Sequence, residues 1–141
     1  MSALSADRNT LYADPRVEAY PVATATTIYK GSLVMLNSSG YAIPGADTAS
    51  CVFVGVAQEQ VVVASGADNG SKYVKVMRLG CFKFGYGGTA AITDVGTMAY
   101  LVDDQTVNVA GSTTNDIPCG KITQVNTTAN VVWIDIGLAW V

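Results

Sequence analysis

The chain has 141 residues, enough for one domain that buries about two-thirds of its unfolded surface without disulfides or metals. Charged residues make up 13% of it against a usual share of about 25%, while Gly, Ser, Thr, Asn, Ala and Val abound. That balance suits strands and turns, and a net charge of −3 with scattered basic residues excludes nucleic acid as an expected direct partner. No apolar run approaches the ~18 residues of a bilayer span, so no membrane partner is expected either.

Residues 1–27 read as an extended N-terminal arm. Apolar side chains occur singly there (Leu4, Leu11, Tyr12, Val17, Tyr20, Val22), and Pro15 and Pro21 interrupt any helix. The start of the arm has neither a basic nor an apolar signal region, which reads as a soluble chain made in the cytosol. Fully extended, the arm would reach on the order of 85 Å, well beyond a domain of this size.

Residues 28–141 read as a β-rich body. Ser32-Leu33-Val34-Met35-Leu36, the turn Asn37-Ser38-Ser39-Gly40 and the return Tyr41-Ala42-Ile43 predict a hairpin. Val52-Phe53-Val54-Gly55-Val56-Ala57 and Gln60-Val61-Val62-Val63-Ala64 predict two further strands. After a loop, Val74 and Val76 share one face of a strand, as do Phe82 and Phe84 of the next. Residues 89–95 are the one predicted helical turn. Residues 97–102 and 106–109 predict a second hairpin around Asp103-Asp104, Lys121-Ile122 begins a short strand, and Val131-Val132-Trp133-Ile134-Asp135-Ile136 closes the pattern. The expected fold is therefore all-β, a compact small barrel or sandwich of short antiparallel strands with at most one short helix.

A weak internal repeat at an offset of 65 residues aligns Gly31-Ser32-Leu33-Val34-Met35-Leu36 with Gly96-Thr97-Met98-Ala99-Tyr100-Leu101, and Gly55-Val56-Ala57 with Gly120-Lys121-Ile122. Two related β halves and chance similarity among Gly-Thr-Val-rich strands both explain it.

The chain contains no histidine, which removes the commonest general base and metal ligand. Cys51, Cys81 and Cys119 are far apart and read as free thiols, not as a zinc site. Asp103-Asp104, with Asp94 nearby, offers hard oxygens of the kind calcium takes, but their position at a hairpin tip reads as turn chemistry. Gly85-Tyr86-Gly87-Gly88-Thr89 lacks the lysine of a phosphate loop, and Glu59 has no second carboxylate tied to it by local spacing. No enzymatic activity and no cofactor are expected.

Ile28-Tyr29-Lys30-Gly31-Ser32-Leu33-Val34, then Ser39-Gly40-Tyr41, Phe53-Val54-Gly55-Val56-Ala57, Asp94-Val95-Gly96 and Gly120-Lys121-Ile122 resemble the capsid cement proteins of tailed bacteriophages. The lambda-type head decoration proteins are broader relatives of that family. The resemblance implies a virion structural protein on the outer capsid surface, with the major capsid protein as partner and a homotrimer as the favoured oligomer. It also implies a flexible arm, and Leu11, Tyr12, Val17, Tyr20 and Val22 are the expected capsid anchors, each adding to an extended strand laid on a capsid sheet edge. Removal of residues 1–22 is expected to leave the fold intact. Leu138, Trp140 and Val141 are apolar enough to form an oligomer interface or to complete the core. Two other classes fit the composition: a self-assembling fibre, tube or pilus-like subunit, and a carbohydrate-binding module using Tyr41, Tyr73, Tyr86, Tyr100 and Trp133.

Overall fold

A computed structural model describes residues 3, 5–11 and 16–140, with Trp140 described for its backbone only. Twelve strands are among the described residues: β1 (Val17–Pro21), β2 (Thr26–Ile28), β3 (Leu33–Leu36), β4 (Ala42–Pro44), β5 (Val52–Ala57), β6 (Val61–Val63), β7 (Tyr73–Met77), β8 (Cys81–Tyr86), β9 (Met98–Leu101), β10 (Thr106–Asn108), β11 (Pro118–Asn126) and β12 (Val131–Asp135). Short 3₁₀ turns cover Ile92–Asp94 and Ile136–Trp140. The chain is all-β, as its composition and turn spacing predict.

The strands form two units and a small extra sheet. The first unit is a five-stranded sheet in the order β1-β7-β5-β3-β4; the second is a closed barrel in the order β8-β12-β11-β9-β10, returning to β8. These two orders are the same order. Replacing β1, β7, β5, β3 and β4 by β8, β12, β11, β9 and β10 converts one unit into the other. β2 and β6 pair only with each other and belong to the first unit alone.

Hydrogen bonds repeat at matched positions, which establishes the duplication bond by bond. Gly31 N–H donates to Ala57 O and Gly96 N–H to Ile122 O, both at 2.8 Å. Ala57 N–H donates to Ser32 O, and Ile122 N–H to Thr97 O. The hydroxyls of Ser32 and Thr97 donate to Tyr29 O and Asp94 O. Arg78 N–H to Arg16 O matches Ile136 N–H to Gly80 O, and Val22 N–H to Lys72 O matches Tyr86 N–H to Asn130 O. The interiors match as well. Val34, Ala42, Val54, Ala57, Val74 and Val76 are buried in the first unit, and Ala99, Val107, Cys119, Ile122, Val132 and Ile134 are buried at the equivalent places in the second.

Each unit has a glycine where β5 or β11 bulges against its neighbour. Gly55 and Gly120 have φ of 153° and 151°, and a Cβ on either would run into the carbonyl of Met77 or of Asp135. No side chain fits there, and the φ disfavours one in any case. This glycine also explains why β11 begins at Pro118, ahead of the expected Lys121. The bulge lets the chain pair with β9 at Pro118 and again at Gly120.

The units differ at their seam. β8 and β10 run parallel, an exception to the expected antiparallel pattern, and close the barrel through Gly85 N–H to Gln105 O and Gly87 N–H to Val107 O. The residue equivalent to Gly85 in the first unit is Pro21, which has no N–H to donate. There, only a single parallel bridge between Val22 and Ala42 joins β1 to β4, with Ala23 N–H donating to Ala42 O. One proline thus leaves the first unit a sheet with edges, whereas a glycine lets the second close.

The expected division between arm and body at residue 27 is corrected. β1 pairs with β7 along its whole length, β2 pairs with β6, and Val22 and Ile28 lie in the core of the first unit. Alternation of exposed Val17 and Ala19 with half-buried Glu18 and Tyr20 is strand patterning, masked in sequence by Pro21. Removing residues 1–22 would therefore take away a sheet strand and a core residue.

Candidate functional site

Two places can hold a partner or move against one: the exposed N-terminal segment with the sheet edge of β1, and the junction between the two units. Residues 5–11 are exposed and without regular structure, and Leu11 is 96% exposed. The five expected anchors separate. Leu11 is free of the core, and Tyr12 lies outside the described residues. Val17, 46% exposed, opens β1 on the outside, and Tyr20 is half-buried on the same strand. Burial pushes the Tyr20 phenol up, with Arg78 opposing and Glu18 adding to the shift. Val22 is 0% exposed and accepts from Gly70 N–H at 2.9 Å, so it is a core residue and not an anchor.

The bonds of Arg16 and Val22 to β7 fix the phase of β1, because ladder bonds alternate along an antiparallel strand. Arg16, Glu18, Tyr20 and Val22 turn their backbone groups to β7. Val17 and Ala19 turn theirs outward, and among the described residues no backbone group pairs with them. Among the described residues this is a free edge.

Of the expected oligomer residues, Leu138 is half-buried in the second 3₁₀ turn. The side chain of Trp140 and the whole of Val141 lie outside the described residues. The aromatics proposed for sugar stacking do not form one platform. Tyr86 is in the core of the second unit, where burial and then the adjacent Asp94 carboxylate raise its phenol pKa. Tyr73 (59% exposed) and Trp133 (38% exposed) are the open rings, and they stand on different units, on β7 and β12.

Asp103 and Asp104 serve the turn: Asp103 Oδ1 accepts from Gln105 N–H at 2.9 Å, and Asp104 O accepts from Leu33 N–H across the units at 2.8 Å. Among the described residues, no group of three or more His, Cys, Asp or Glu side chains is placed to hold a metal ion. The glycine-rich stretch after β8 is tied down by Asn130, whose side-chain N–H groups donate to Tyr86 O and Gly88 O and whose Oδ1 accepts from Ala90 N–H.

At the junction the loop of residues 45–51 meets the equivalent loop, residues 109–117. Asp47 Oδ2 accepts from Thr114 N–H at 2.7 Å and Oδ1 from Asn115 N–H at 2.8 Å. Where these two loops end, a cavity of about 210 Å³ is lined by Cys51, Val52, Phe53, Ile117, Pro118 and Ala139. Sequence reading passed over both Asp47 and Asn130. Asp and Asn in loops usually cap their own turn, and nothing local distinguishes one that reaches a segment 40 or 68 residues away. No protein-family model matches this chain, and no curated protein matches it.

Proposed function

We propose that the chain is a capsid decoration subunit of a tailed bacteriophage, a small β body that sits on the outer surface of the mature head as an oligomer, a trimer being favoured. The observation that carries this reading is the free edge of β1, with residues 5–11 of the same chain exposed. A strand edge with unpaired N–H and C=O groups is a template for a strand of another chain. The short cement-protein motifs support the same role. They fall at the glycine turns and strand starts that the two units share.

Residues 5–11, Leu11 foremost, together with Val17 and Ala19 on the open side of β1, are the clamp in this reading. Each contact is weak, yet a millimolar contact is worth about 4 kcal/mol, and three of them on one oligomer raise avidity by orders of magnitude. The test is occupancy on expanded heads that lack the protein. The chain without residues 1–11 keeps its circular-dichroism spectrum and loses head occupancy; full occupancy by that truncated chain would remove the clamp from the reading. A fibre or tube subunit draws on the same edge, and filaments of the purified chain formed without heads would favour it.

A further inference from the structure

Asp47 joins the two units through a set of side-chain bonds. Besides the two N–H groups it accepts, Asn115 Nδ2 donates to Asp47 Oδ1 and to Asp47 O, both at 3.0 Å. Thr114 and Asn115 lie at the positions equivalent to Ala49 and Ser50, so equivalent loops of the duplicated units are held face to face. Where these loops run into β5 and β11, the apolar cavity is lined from both units, by Val52 and Phe53 and by the equivalent Ile117 and Pro118.

We propose that the Asp47 carboxylate is a latch between the two units that weakens in acid, is indifferent to salt, and on weakening loosens the apolar cavity lined where its two loops end. The chemistry rests on the charge of the acceptor. Both oxygens of the ionised carboxylate accept from backbone N–H groups, so each bond is charge-assisted. Protonation removes that charge and sets an O–H among groups that only donate, so the set of bonds weakens.

The groups facing Asp47 are neutral. The N–H groups of Thr114 and then Asn115 hold its carboxyl below the ordinary 3.8, burial opposes, and the Asn115 side chain adds to the lowering; no cation contributes. On the opposite loop the nearest carboxyl, Asp116, takes the Thr113 hydroxyl. A depressed folded pKa means that the latch contributes in full above the ordinary carboxylate range. Its contribution is lost as pH falls through the depressed value. Hydrogen bonds from uncharged donors are not screened as an ion pair would be, hence the indifference to salt.

Cys51 reports on the loosening, because it lines the cavity and is half-buried, whereas Cys119 is fully buried in the second unit and reports global unfolding. The full chain carrying Cys81→Ser is treated with an aromatic disulfide reagent active in acid, each rate being divided by that of a free thiol at the same pH. At pH 7, Asp47→Asn is expected to label Cys51 about tenfold faster than the parent, the scale of one lost charge-assisted hydrogen bond. The parent's relative rate rises toward that of the variant as pH falls from 6 through and below the ordinary carboxylate range, Asp47→Asn shows no such rise, and 1 M salt alters neither. A Cys51 rate unmoved by acid in the parent would overturn the latch, and so would Cys119 labelling in step with Cys51. The parent's acid profile decides the matter even if the variant fails to fold. It involves no head and is independent of the decoration role.

Discussion

At the scale of single residues, the duplication rests on positions that tolerate one residue type. Gly120 has φ of 151°, and a Cβ there would lie 2.6 Å from Asp135 O. Gly120→Ala is therefore expected to cost about 3 kcal/mol or more, read from the denaturant midpoint. Gly111→Ala is the control: φ is 84°, but nothing lies within 4 Å of a Cβ, and the expected cost is about 1 kcal/mol. Asn130 sits at φ 55° and makes three side-chain bonds to the stretch after β8. Asn130→Ala is expected to cost about 2–3 kcal/mol, and amide exchange at Ala90 should rise with it. Gly120 was legible because it aligns with Gly55 at the 65-residue offset. Asn130 was not, because its partners are some 40 residues away.

At the scale of elements, hairpins were legible and seams were not. The pairs β3–β4 and β9–β10 follow from turn residues between alternating runs, and both formed where expected. Nothing in the local pattern of β8 names β10 as its parallel neighbour, because the pairing is made by barrel closure and not by a turn. Pro21 was read as a helix breaker, which it is, but its larger effect is to withhold the N–H that its counterpart Gly85 donates. Gly85→Pro should accordingly open the second barrel at a cost of about 1–3 kcal/mol, whereas Pro21→Gly should change stability by less than about 1 kcal/mol. Equal costs in thermal unfolding would mean that the seam bond has no part in closure.

At the scale of the molecule, the repeat was visible over β3, β5, β9 and β11 and faded beyond them. The reason is an insertion. The first unit carries β6 and a long loop between β5 and β7, so the 65-residue offset shortens to 58 by β12, and sequence identity in so short a strand cannot bridge the shift. Burial is conserved across the shift where identity is not: Val76 and Ile134 occupy matched core places. Ile134→Ala should cost about 2–4 kcal/mol and Val76→Ala about 1–3 kcal/mol, since each deletes a fully buried branched side chain. The arm proved shorter than its composition suggested, because residues 17–28 hold β1 and β2, so any truncation meant to probe the arm must stop before Val17.

The decoration role meets its most direct test in density on a head. Purified chain is added to expanded heads lacking it, and the particles are imaged by electron cryomicroscopy. Two-unit density on the outer surface at three-fold or quasi-three-fold positions, with the segment before Val17 ordered against a neighbouring chain, is the expected result. Bare shells at saturating concentrations of folded chain would contradict it.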